Sequence, residues 1–227
     1  MREEPDGPAD TAMMGIVHDA LRRDLDRLRS ALTSTPHPVG ERRQALARHT
    51  SWMLDFLHHH HAGEHEGLFP LVRSANPDAA AVLDQMDGDH VAIAPRMEML
   101  GIQIGRWASS CADADRIAVV TALDALDGVL RPHLDREEAV AMPIVSASIT
   151  HRQWHEWEQR TNVASKSLRQ LGAEGHWIID GLDEPRRQIV LHQVPAVPRF
   201  VLLHGFGPRY RRQAAVRWGD AVAASIR

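Results

Sequence analysis

Two stretches decide the reading of this chain: His60-His61-Ala62-Gly63-Glu64, running on to Phe69-Pro70, and His133-Leu134-Asp135-Arg136-Glu137, running on to Met142-Pro143. Each holds a histidine and a glutamate four residues apart, and each places a proline six residues after the glutamate. Residues four apart lie one above the other on a helix face, so each step aims an imidazole and a carboxylate at one point. Working outward, His18 precedes His60 by 42 residues and His90 precedes His133 by 43. Both leading histidines open apolar-striped segments, with Leu21, Leu25 and Leu28 after the first and Ile93, Met97 and Leu100 after the second. The chain therefore reads as a helix pair repeated with a period near 72 residues.

The periodicity predicts a helix over residues 11–33, ending before Pro36-His37-Pro38, and a second over 41–74 that Pro70 bends or breaks. The stripe of the second helix is Trp52, Met53, Phe56, Leu57, His60, Glu64, Leu68 and Leu71. Asn76-Pro77 carries a helix-start signature, and a third helix follows to about residue 105 with a kink expected at Pro95. A fourth covers 114–147, with Leu123, Leu126, Val129, Leu130, His133, Glu137 and Ile144 on one face. Few segments alternate with the period of a strand. An all-α, four-helix, up-and-down antiparallel bundle over 11–147 is expected, after a disordered lead at 1–10.

Residues 150–227 read as a helical C-terminal extension. His151–Leu171 forms a fifth helix carrying Trp154 and Trp157, and Asp183-Glu184-Pro185 starts a short one through Leu191. Pro195 and Pro198 interrupt it. An apolar run, Phe200–Leu203, and a basic tail with Arg209, Arg211, Arg212 and Arg217 follow, the arginines reading as a solvated face. This extension is the segment through which a protein partner would dock.

At 227 residues, 44% of them hydrophobic, the chain has ample material for one or two packed cores. A net charge of −4 argues against a nucleic-acid binder. No apolar run reaches the roughly 18 residues of a membrane span, and the polar start Arg2-Glu3-Glu4-Pro5-Asp6 has no apolar region of a secretory leader, so a cytoplasmic location is expected. Cys111 is the only cysteine, which excludes an internal disulfide and reads as a semi-buried free thiol.

His18, His60, Glu64, His90, His133 and Glu137 are the candidate metal ligands. Imidazole and carboxylate together suit iron, zinc, manganese and other first-row ions. Four histidines and two glutamates exceed one tetrahedral zinc. They match two ions, each with two imidazoles, bridged by both carboxylates. Two octahedral ions offer about twelve positions, more than this set fills, so oxo, hydroxo, water or an exogenous ligand completes the shells. His61 and His65 are also four apart; His59, His61 and His65 stay open as additional or outer ligands, and Glu138 competes with Glu137.

These residues resemble the hemerythrin-like (HHE cation-binding) family: a lone histidine in helix 1, the histidine-glutamate step before Leu68-Phe69-Pro70, a lone histidine in helix 3, and His133/Glu137 in helix 4. The resemblance covers residues 11–147 and implies a four-helix bundle around a non-heme centre of two oxo- or hydroxo-bridged iron ions. His18, His60, His90 and His133 would bind iron through nitrogen, and Glu64 and Glu137 would bridge. The oxygen carriers of the family have a second helix-3 histidine where this chain has Ala94, and an aspartate where it has Glu138. That departure points away from reversible oxygen carriage and toward redox turnover or sensing. The C-terminal extension resembles those of actinobacterial members. The expected function is binding of O2, NO or peroxide in oxidative or nitrosative stress. The alternatives are a catalase- or peroxidase-like di-iron enzyme, or an iron- or oxygen-sensing regulatory module.

Overall fold

The computed structural model describes residues 5–192 and 196–219, and the side chains of 5–192 and 205–219. The apolar side chains of Phe200–Leu203 therefore lie outside the described residues. Everything described is helix or connection, and no strand occurs among the described residues. No described helix is long and apolar enough to cross a membrane.

The helices are α1 (Ala12–Thr33), α2 (Gly40–Gly63), α3 (Phe69–Ala75), α4 (Ala80–Ser110), α5 (Asp113–Arg136), α6 (Met142–Ser148), α7 (His151–Glu158), α8 (Leu168–Ile179), α9 (Glu184–His192) and α10 (Ala196–Trp218). Three π-helical turns join neighbours: Glu64–Leu68 between α2 and α3, Glu137–Ala141 between α5 and α6, and Gln159–Val163 after α7. The chain divides into two compact units, one of residues 1–11 and 50–164, the other of 12–49 and 165–227, with the division falling inside α2.

In the first unit α4 and α5 form a hairpin with only Cys111-Ala112 between them. The buried stripes are Ile93, Met97, Leu100, Ile104 and Trp107 of α4 and Val119, Leu123, Leu126 and Leu130 of α5. Their three- and four-residue spacing is that of a helix stripe. Cys111 ends α4 in the left-handed region with φ 62 and is exposed, where the sequence reading had it semi-buried. The expected disordered lead is ordered from Pro5 on: Ala9 is buried, its N–H bonds Ser146 O and Ile149 O at 3.2 Å each, and Pro8 pairs with Thr150. Residues 1–4 lie outside the described residues.

Two local signals shape the extension. Thr150 caps α7 and Ser167 caps α8, each exchanging bonds with a glutamine three residues on, Gln153 and Gln170. The single helix expected over His151–Leu171 is accordingly two, and α10 continues through the segment read as an apolar run and basic tail.

The second unit packs Ile16, Ile179 and Val190 into a small apolar cluster. Beside it lies a buried polar network. Asp24 accepts from His49 Nε2 at 2.6 Å, Trp177 Nε1 at 2.9 Å and Arg23 Nε at 2.9 Å. Arg27 holds Asp180 with two bonds, 2.6 and 3.2 Å, and Tyr210 donates to the same carboxylate. Arg217, read from sequence as part of a solvated face, is buried over the Tyr210 ring.

Candidate metal centre

The first unit carries five of the six expected ligands. His60 lies in the last turn of α2 with Glu64 just beyond it, His90 sits in α4, and His133 lies in the last turn of α5 with Glu137 just beyond it. His18, the sixth, is on α1 in the second unit and is fully buried. Both glutamates open a π-helical turn, in which the Phe69 N–H reaches back to Glu64 O and the Met142 N–H to Glu137 O. The prolines explain why. Proline lacks the N–H an α-helix needs and its ring crowds the previous turn, but it fits the first turn of a new helix. Pro70 and Pro143 stand there in α3 and α6.

A π turn adds one residue, so the downstream helix is rotated by about 100° from a continuous α-helix. The buried positions show this directly. The stripe expected Leu71 and Ile144, each seven residues past its glutamate; both are half-buried, and Val72 and Val145, one later, have no exposure. The α7 segment seals the first turn from outside. Trp157 Nε1–H donates to Gly63 O at 3.0 Å, and a Cβ on Gly67 would come within 2.9 Å of the Trp157 ring.

Inside, imidazole nitrogens and carboxylate oxygens converge. Glu64 has no exposure; its Oε1 is 3.0 Å from His60 Nε2 and its Oε2 is 3.4 Å from His90 Nε2. Glu137, equally buried, faces His133 Nε2 at 3.5 Å and also lies within 4.8 Å of His60, donor atom to donor atom. His61, His90 and His133 bring one nitrogen each within 4.8 Å of one another. Of the histidines left open by sequence, His61 is thus inside. His65 is exposed and bonds Asp87 at 2.6 Å, and His59 is exposed on Asp55 O. Glu138 is half-buried.

The charge state of these groups fits a cation. Burial pushes the Glu64 carboxyl up to about 8, with the Glu137 carboxyl beside it opposing. Burial, then the neighbouring Glu64 charge, pushes Glu137 well above its ordinary value. Burial lowers His90 to about 3, with His133 and His60 adding to it, and lowers His133 to about 4 against the pull of Asp89. Both rings are therefore neutral at ordinary pH and present lone pairs. Both oxygens of Glu64 and both ring nitrogens of His90 and His133 are buried without a hydrogen bond. Each such orphan costs about 1–3 kcal/mol, and convergent orphans of this donor chemistry fit a metal ion that coordinates them. Asp89 Oδ2 stands 3.5 Å behind His133 Nδ1 and is held by Arg136. Its negative charge favours the proton on Nδ1, which leaves the lone pair on Nε2.

No curated protein and no solved structure matches the chain. A family model does: the hemerythrin HHE cation-binding domain, over residues 10–145. That match spans more than half of the 227 residues and takes in His18, His60, His61, Glu64, His90, His133 and Glu137. The chain belongs to the hemerythrin HHE cation-binding family, whose domain is helical and binds metal.

Proposed function

We propose that this is a non-heme di-iron protein that binds O2, nitric oxide or peroxide at a bridged centre and serves in the response to oxidative or nitrosative stress. His18, His60, His90 and His133 would hold the iron through imidazole nitrogen, and Glu64 and Glu137 through carboxylate oxygen. The observation that carries the reading is Glu64, whose two oxygens face imidazoles of different helices, His60 of α2 and His90 of α4. A carboxylate so placed could serve two metal positions.

Bound there, iron supplies open coordination positions and redox chemistry for a small oxidant. The chain's own residues do the rest. Phe56 stacks on His60 and Phe69 on His90, screening the imidazoles from water. Asp89, behind His133 Nδ1, favours the proton on that nitrogen and keeps Nε2 free for the metal.

Iron content and the optical spectrum, before and after peroxide, test this. The expected result is about two irons per chain with an oxo-to-iron absorption that peroxide changes, and Glu64→Gln losing both. A protein that holds only zinc and takes up no iron after anaerobic reconstitution contradicts it.

A further inference from the structure

We propose that His61 is a metal ligand, completing with His90 and His133 a three-imidazole subsite, so that the two metal positions of the centre differ in imidazole number. The inference rests on the dinuclear reading above.

His61 and His60 are neighbours on α2, and successive helical residues diverge by about 100°. Their ring centroids are 5.9 Å apart. Glu64 lies four residues beyond one and three beyond the other, on the face between them. One helix thus feeds both metal positions from adjacent residues, with the carboxylate spanning the gap. His61 stacks on His90 at 4.1 Å with the rings 14° from parallel, and both stand steeply across His133, at 84° and 70°. Nitrogens about 2.1 Å from one ion are about 3 to 4.2 Å from each other. The three nitrogens lie within 4.8 Å of one another, and because the His61 and His90 rings are nearly parallel, a turn of one ring about its Cβ–Cγ bond brings both lone pairs onto one ion.

The repeat shows where the inequality comes from. Counting 73 residues on, His60 maps to His133, Glu64 to Glu137 and Pro70 to Pro143, but His61 maps to Leu134. Only the first copy has a second imidazole beside its first. On the reading above the other position has two imidazoles, His60 and His18, while Glu64 faces both His60 and His90 and Glu137 faces His133 and lies near His60. With the carboxylates common to both, three imidazoles against two favour borderline divalent ions such as Co(II), Ni(II) and Zn(II) at the His61 position. The subsite at His61 therefore fills first with a borderline ion.

Titration of the metal-free full-length protein with Co(II), followed by its visible absorption, tests this. The wild type should take two ions per chain in two resolved steps. His61→Gln should weaken the first step by at least about tenfold and change its spectrum, leaving the second step in place. His65→Gln should alter neither. X-ray absorption of the unaltered protein with one equivalent of Co(II) gives an independent reading that does not depend on a variant folding: three imidazoles around the ion are expected. Two or fewer imidazoles, or a His61→Gln protein with both steps and the spectrum intact, would overturn the role of His61 and leave the dinuclear reading standing. A wild type that binds no more than one Co(II) would overturn the dinuclear reading itself.

Discussion

At the scale of single residues, the chemistry rests on carboxylates taken out of water, and the two units use them in opposite ways. Glu64 and Glu137 are buried among neutral imidazoles. Asp24 is buried among donors: burial opposes its charge, but the His49 bond and the Arg23 charge outweigh that and hold it below the ordinary carboxylate range. A carboxyl depressed on folding contributes stability that is full above the unfolded value, about 3.9, and is lost as pH falls through the folded one. Asp24→Asn should therefore cost about 3 kcal/mol at pH 7, with the gap to wild type shrinking below pH 4. Urea unfolding of both proteins at pH 7, 5 and 3 checks it, and a gap independent of pH would refute it. The His-Glu steps were legible in sequence because they are local and doubled. The Asp24 network was not: its partners His49 and Trp177 lie 25 and 153 residues away, and no local pattern announces them. The burial of His61 beside His90 and His133 was not legible, since four consecutive histidines point in four directions and packing alone selects which turns inward.

Among elements, helix boundaries followed from capping and proline signals. Helices of the first half fell close to their expected limits, α1 at Ala12–Thr33 against 11–33 for one. The π turns were missed although both prolines were seen, because a proline in a helical stripe announces an interruption without saying which kind. The doubled six-residue spacing from glutamate to proline, followed by an apolar residue at eight rather than seven, was the available signal. Two glycines separate close packing from open helix. Gly67→Ala pushes a methyl into the Trp157 ring and should destabilise by about 1–3 kcal/mol. Gly88→Ala, in α4 with nothing within 4 Å of the added Cβ, should stabilise by about 1 kcal/mol. Thermal unfolding of the two variants should move in opposite directions; a shared direction would count against the seating of α7. Cys111→Gly should likewise raise the midpoint, by about 0.5–1 kcal/mol, since glycine enters the left-handed position at the end of α4 without strain.

For the whole molecule, family membership was legible because the ligand spacing and the helical stripes agree, and each alone would have been weaker. The extent of the units was not legible: residues 1–11 join 50–164 through backbone bonds at Ala9, a pairing without any sequence pattern. Metal should be linked to stability, because it relieves buried polar atoms that the unfolded chain would leave in water. At a free concentration of a hundred times Kd a bound ion adds about 2.7 kcal/mol. Chelation should lower the unfolding midpoint of the wild type and leave that of Glu64→Gln nearly unmoved; equal shifts would contradict the linkage. The most direct test of the bridged centre is anomalous diffraction from iron-loaded crystals. Two metal peaks per chain are expected, about 3.5–4 Å apart, with Glu64 reaching both. A single peak, or peaks away from His60, His90 and His133, would contradict a bridged pair.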